Sequence, residues 1–272
     1  MHKITDPDFQ LPVIYPTEIV EELTSGANCP LHIRGFDKAT HKKNEYVVKL
    51  RDSERMGDPA AALRELLAAF IGMEMDIPVA EPVAVEIKPE FAELTEKPSL
   101  KQRILNSAGL NFGTVHLGLG FQVFALLSSF PVKLERQAQD LLAFDLFLQN
   151  PDRTKEKPNM LTDGTSLVGY DHELAFSFST ILFAPVNLWQ QTGELRRWID
   201  NLVLLSKVKG LDYNFDDFAE RMSCLNEHFW NRAESLLPHT WKHESFNKIK
   251  SGMIGFIDNR DEFINELKRI LS

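Results

Sequence analysis

The chain has 272 residues, of which 43% are hydrophobic and 25% charged, with a formal net charge of −9 at pH 7. That length supports a sizeable core in one domain or two lobes, and the acidic balance argues against nucleic acid as a bulk partner, because no cationic excess is available to neutralise phosphates. Cys29 and Cys224 lie far apart without a CxxC neighbour, which argues against a disulfide scaffold or a structural zinc site; no signal-like N-terminus and no window of about 18 apolar residues are present, so a cytoplasmic, non-membrane protein is expected.

Residues 1–20 read as extended and are broken by Pro7, Pro12 and Pro16. TSGANCP (24–30) is small and turn-prone. LHIRGFD and EYVVKLRD are short β-branched runs, and the polar KATHKKN between them predicts a hairpin turn. DPAAALRELLAAFIGMEM (58–75) predicts a helix, with Asp58 as cap, Pro59 at the first helical position, and Leu63, Leu66, Leu67 and Phe70 at helical spacing. IPVAEPVAVEI alternates as a strand. Residues 88–111 are polar, helix or loop. FGTVHLGLGFQVF (112–124) mixes aromatics with glycines and marks a connection between lobes. Residues 135–149 predict a helix with Leu141, Leu142, Phe144, Asp145 and Leu148 near one another. NPDRTKEKPN follows as a loop, and MLTDGTSLVGYD as a hairpin with an Asp163-Gly164 turn. GELRRWIDNLVLLSKV, FDDFAERMSCLNEHFWNRAESLL and NRDEFINELKRILS each read as amphipathic helices. No internal repeat appears. This order predicts an α+β, two-lobed fold, which together with the Asp152, Asn159 and Asp171 order of phosphoryl transfer is protein-kinase-like. A small strand-rich N-terminal lobe (1–120) would hold nucleotide against a larger, mostly helical C-terminal lobe (121–272).

The chemistry concentrates between Phe144 and Phe176. Asp152 and Arg153 follow a hydrophobic helix, Asn159 follows, and a hairpin leads to Asp171. An Asp, an Asn and a second Asp in this order match ATP-dependent phosphoryl transfer. There the first Asp orients the attacking hydroxyl, and the Asn and second Asp hold Mg²⁺. Each of these residues is also an ordinary turn former, so the signal lies in their joint order. Upstream, Lys49 closes the strand YVVKL, where a lysine can pair ATP phosphates. Glu65, among Leu63, Leu66 and Leu67, is a carboxylate in apolar company that wants a cation; solvated surface positions are the competing reading for both. Gly26 could let backbone N–H groups approach phosphates, or could serve an ordinary turn. Neither GxGxxG before Lys49 nor GxxxxGK[ST] is present, which disfavours a Walker-type ATPase. Arg153 reads as a loop anchor or a surface cation, and His172 as a packing or hydrogen-bonding residue without assigned chemistry.

The pair DLFLQNPDRTKEKPNML and GYDHELAFSF resembles the HipA-like kinases, in particular the short bacterial HipA-like kinase domain proteins. YVVKL, RELLAAFIG, IPVAEPVAVEI and the FG opening FGTVHL stand in the order of that family, so the resemblance spans residues 24–178. It implies Lys49 as the phosphate-binding lysine with Glu65 as its partner, and Asp152 as the catalytic Asp. It further implies Asn159 and Asp171 as Mg²⁺ ligands, with Phe112 to Gly118 approaching the adenine. Two departures stand out. The position five after Asp152, where many kinase loops place the metal-binding Asn, holds Lys157. Glu173 follows the Asp-His pair where a small residue is usual, and an extra carboxylate there could bind metal or repel ATP. The resemblance implies ATP and Mg as cofactors and a protein Ser/Thr hydroxyl as acceptor, with an antitoxin-like protein as a possible partner, since some HipA-like kinases are paired toxins. A small-molecule kinase of the aminoglycoside-phosphotransferase type and a pseudokinase that binds nucleotide without turnover are the alternatives.

Overall fold

The computed structural model describes residues 2–24, 28–124, 131–181, 187–190 and 198–272. Five strands form a closed barrel: β1 (Val13–Glu22), β2 (Leu31–Asp37), β3 (Lys43–Val48), β4 (Pro82–Ile87) and β5 (Gly109–Val115). The order is β1-β2-β3-β5-β4. Closure comes from a short parallel pairing of β1 with β4, Val13 opposite Ala84 and Ile14 opposite Val85; the other neighbours pair antiparallel. Helix α1 (Ala61–Glu74) sits between β3 and β4 in sequence, and α2 (Pro98–Asn106) between β4 and β5. A second sheet of three short strands follows, β6 (Gln122–Val123), β7 (Met160–Thr162) and β8 (Leu167–Gly169). Helix α3 (Glu135–Leu148) precedes β7. The chain ends in α4 (Leu205–Val208), α5 (Asp216–Met222), α6 (Glu227–Leu236), α7 (Ser245–Asp258) and α8 (Arg260–Leu271). The protein is thus a mixed α/β chain, strand-rich first and helical afterwards.

Alternation along the strands sorts the barrel's two faces. Ile14, Leu31, Ile33, Tyr46, Val48, Val83, Val85 and Ile87 form one apolar cluster, covered by Phe91, Leu100 and Ile104. A larger cluster joins Leu66, Leu67 and Phe70 of α1 to Leu142 and Phe147 of α3 and to the C-terminal helices. Every residue of α1 except Ala62 is buried. A helix apolar all round in this way has no solvent face, so its charged side chains must find partners inside.

Several local expectations are refined. The hairpin between β2 and β3 is present, and Asp37 builds its turn by accepting the amides of Ala39 (2.9 Å) and Thr40 (2.6 Å). Helix α1 starts at Ala61 without a side-chain cap. Asp58 instead accepts the Ala60 amide at 2.9 Å and Arg64 Nη2 at 2.7 Å. FGTV (112–115) belongs to β5, because its backbone pairs with both β3 and β4, and the connection to β6 runs over 116–121. The segment 215–237 is two helices, not one: the Asn226 side chain accepts the amides of His228 and Phe229 and starts α6 afresh. GELRR (193–197) and Gly26 lie outside the described residues. Neither Cys29 nor Cys224 forms a disulfide.

Gly72 shows how tightly α1 is held. A Cβ added there would come within 2.7 and 2.8 Å of the two Val79 methyls and 3.4 Å of Phe144. Helix propensity alone favours Ala over Gly by about 1 kcal/mol. Overpacking costs about 1–3 kcal/mol, so Gly72→Ala should lower the urea unfolding midpoint. A midpoint that rises would show that Val79 yields freely.

Candidate active site

Lys49 lies one residue beyond β3, and its amide still donates to the Phe112 carbonyl at 2.9 Å, extending the barrel's pairing. Tyr46 and Val48 point into the barrel, so Glu45, Val47 and Lys49 share the outer face. There the Lys49 ammonium meets Glu65 of α1 and Asp171, both in close contact, and Glu173 Oε2 at 3.0 Å. The other oxygen of Glu65 accepts the His172 amide at 2.9 Å. Glu65 therefore has both oxygens engaged, as a carboxylate with 1% exposure requires.

Glu173 is equally buried and makes a second junction. Its Oε1 lies 3.2 Å from Arg55 Nη1, its Oε2 takes a close contact from the Asn28 amide group, and its carbonyl accepts from Arg64 Nε. Arg55 Nη1 also reaches Asp152 Oδ2 at 3.0 Å. Asn159 Nδ2 donates to both the Asp152 carbonyl (3.2 Å) and Asp152 Oδ2 (3.3 Å). Lys49, Glu65, Asp152, Asn159 and Asp171, expected to act together, are thus brought to one place. The backbone of Lys157 closes a tight loop with Thr154, by Thr154 N to Lys157 O at 2.9 Å and Lys157 N to Thr154 Oγ1 at 3.2 Å.

Four carboxylates, Glu65, Asp152, Asp171 and Glu173, face two cations, Lys49 and Arg55. The formal excess of two negative charges, carried on hard oxygen donors, suits a divalent cation such as Mg²⁺. Oxygens of Glu65, Asp171 and Glu173 lie within 4.8 Å of one another. Burial alone would lower the Lys49 ammonium, but Asp171, Glu65 and Glu173 together raise it well above its ordinary value, so it stays charged. Burial pushes the Glu65 carboxyl up to about 7, opposed by Lys49 and reinforced by Asp171 and Glu173. Asp171 goes the other way: against its burial, Lys49 holds its carboxyl below the usual range.

The loop is organised by Arg153, which has no solvent exposure and so is the anchor rather than a surface cation. Its Nε donates to Asp145 Oδ2 of α3 at 2.7 Å. One terminal nitrogen closely contacts the Asn159 carbonyl and reaches that of Tyr170 at 3.5 Å; the other lies 3.0 Å from His172 Nε2. Guanidinium only donates, so His172 Nε2 accepts and the ring is neutral. Burial and then Arg153 hold this imidazole well below its usual range. One side chain therefore fixes the positions of Asn159 and of the segment carrying Asp171. Both residues sit at positive φ, +44° and +62°, a region Asn and Asp tolerate better than other side chains.

Sequence reasoning did not single out Arg55 or Asn28. Both lie in polar loops, RDSERMGDP and TSGANCP, where charge and turn residues are ordinary. Ser53 Oγ donates to Asn28 Oδ1 at 3.0 Å, and the Arg55 amide to the same atom at 3.3 Å, so the two loops meet only in the fold.

The HipA-like kinase family model matches residues 17–251, most of the chain. The protein belongs to the HipA-like kinase family, and is a kinase-type phosphotransferase by that membership. No curated protein and no solved structure matches the chain significantly.

Burial raises the Asp145 carboxyl, and the Arg153 guanidinium opposes that shift. Stability therefore falls as pH rises from the ordinary value of 3.8 through the higher folded value, and the loss persists above it. Removing the guanidinium raises the folded value further and leaves a buried charge unpaired, at a cost of about 3–5 kcal/mol. Arg153→Met should lose about that much at pH 8 and distinctly less at pH 3.8, the ordinary carboxyl value, which lies below the raised folded one so that folded Asp145 is mostly protonated. Chemical denaturation at the two pH values measures this, and a loss independent of pH would separate the effect from Asp145.

Proposed function

We propose that this protein transfers the γ-phosphoryl group of ATP, with Mg²⁺, to a protein Ser or Thr hydroxyl. The observation that carries the reading is the Lys49 ammonium held between Glu65 and Asp171, with Asp152 and Asn159 alongside, since Lys49 and Asp171 stand 122 residues apart in the chain. That constellation is the one phosphoryl transfer needs. In this reading the barrel with α1 and α2 is the nucleotide lobe and the helical part the second lobe of a kinase-like fold. Lys49 binds the ATP phosphates and Glu65 orients it. Asn159 and Asp171 hold Mg²⁺, which supplies charge neutralisation to the phosphates when bound. The Asp152 carboxylate orients the acceptor hydroxyl and can accept its proton, aided by Asn159 Nδ2, which fixes the carboxylate. The main chain around Gly26 remains a candidate for phosphate contact.

One observation favours a second reading, nucleotide binding without turnover. The Arg55 guanidinium sits on the Asp152 carboxylate at 3.0 Å, and three carboxylates already occupy Lys49. Turnover requires that phosphates displace carboxylates from Lys49 and that an acceptor hydroxyl displace Arg55. The alternative of a cationic small-molecule acceptor rests on the acidic balance of the chain alone.

Radiolabelled ATP with Mg²⁺, offered with lysate protein and separately with a metabolite panel, distinguishes these readings. Labelled protein is the expected result; a labelled small molecule, or no label anywhere, overturns the protein acceptor. Asp152→Asn should lower the rate by several orders of magnitude while ATP affinity stays within about tenfold, because ground-state ATP does not need that contact.

Asp171→Asn should remove the Mg²⁺-dependent part of the nucleotide-induced rise in melting temperature. An undiminished Mg²⁺-dependent rise would place the metal elsewhere.

A further inference from the structure

A second polar cluster lies on the same outer face of the barrel as Lys49, farther back along the strands. His32 of β2, Glu45 of β3 and His116, the residue after β5, converge there. Their ligand atoms, one from each side chain, all lie within 4.8 Å of one another. Glu45 Oε2 is the meeting point, 2.9 Å from His32 Nε2 and 3.7 Å from His116 Nδ1. His32 and Glu45 sit on paired strands, and His116, one residue past β5, continues the pairing by its amide donating to the Glu45 carbonyl at 3.0 Å. The backbone that carries them is therefore part of the barrel rather than of a loose loop.

We propose that His32, Glu45 and His116 form a site for a divalent transition-metal ion of the zinc class. Two imidazole nitrogens and one carboxylate oxygen, with a fourth position open to water, are a donor set such ions accept. The low cysteine count excludes only thiolate sites and leaves this chemistry open.

The surrounding groups prepare each ligand. Arg34 Nε binds Glu45 Oε1 at 3.0 Å and leaves Oε2 facing the imidazoles. Arg34 and His32 hold the Glu45 carboxyl below its ordinary range, so it is ionised. The Gly118 amide donates to His116 Nδ1 at 3.2 Å, which identifies Nδ1 as the unprotonated nitrogen. Burial and the nearby His32 lower the His116 imidazole, so this ligand is neutral near pH 7. His32 Nε2 faces a carboxylate and carries its proton there. On metal binding that proton moves to Nδ1, where Glu21 Oε1 stands 3.6 Å away to accept it. No proton has to leave the cluster, and a carboxylate–histidine–metal arrangement results. The rings now stack 4.2 Å apart at 21°. An ion takes over the lone pair that Gly118 uses and turns both rings about their Cβ–Cγ bonds toward Glu45.

Co²⁺ is the probe, because its visible ligand-field bands report nitrogen ligation in a four-coordinate site. Titration of the full chain should give one-to-one bands that Zn²⁺ abolishes. His32→Ala and His116→Ala should each remove them, and Glu21→Gln, which deletes no ligand, should weaken binding by about 10–100-fold. Asp171→Asn should leave the bands intact, since the Glu65, Asp171 and Glu173 cluster offers oxygen only. His116 is partly exposed at a strand end, so its replacement should keep the fold; equal melting of wild type and His116→Ala in chelator verifies that. Absence of bands, bands that survive loss of either histidine, or bands that vanish in Asp171→Asn would each overturn the site.

Discussion

The Lys49 ammonium ties together three parts of the chain that share no local contact. It leaves the end of a barrel strand, meets Glu65 in the middle of a buried helix, and meets Asp171 and Glu173 on the segment after the second sheet. A cation this buried is tolerable only because several carboxylates surround it, and the carboxylates are tolerable only because of the cation. Remove either side and an uncompensated charge is left inside the protein. The interaction thus fixes barrel, helix and loop relative to one another and also assembles the charges that a phosphate chain and a divalent ion would meet.

A second constraint shapes the loop side. Arg153 is wholly enclosed, so each of its donors must be used. Asp145, the carbonyls of Asn159 and Tyr170, and the His172 ring take them up. The guanidinium fork is planar and rigid, and it therefore transmits the position of α3 to both Asn159 and Asp171. The His172 ring, neutral and packed edge-on against Phe144 at 6.2 Å, serves as the far support of that fork. Its amide at the same time holds Glu65. Packing and polar pairing on one residue thus connect the loop to α1.

Arg55 and Glu173 give the site its particular character. Arg55 links the two carboxylates Asp152 and Glu173, and Asn28 bridges Glu173 to the loop that carries Arg55. The cluster neutralises itself in part, leaving a surplus of negative charge of the kind a divalent ion complements. In the proposed reading, ligand binding exchanges partners among charges already in place rather than creating new ones.

The sequence by itself singled out the residues of the candidate site and the order of elements. That Lys49, Glu65, Asp152, Asn159 and Asp171 belong to one cluster was legible, because their types and order match those that phosphoryl transfer uses, and because Glu65 stands among leucines that forbid a lone charge. The helix 61–74 and the hairpin strands were legible from periodicity and turn chemistry. Closure of the barrel was not, since it rests on two residue pairs between β1 and β4 that are far apart in sequence and carry no local signature. Nor were the partners of Arg55, Asn28 and Arg153, because a polar residue in a loop reads the same whether it meets water or a buried carboxylate. The meeting of His32, Glu45 and His116 likewise depends on strand register. Which side chains face each other across strands is fixed by tertiary pairing, and only the folded chain decides it.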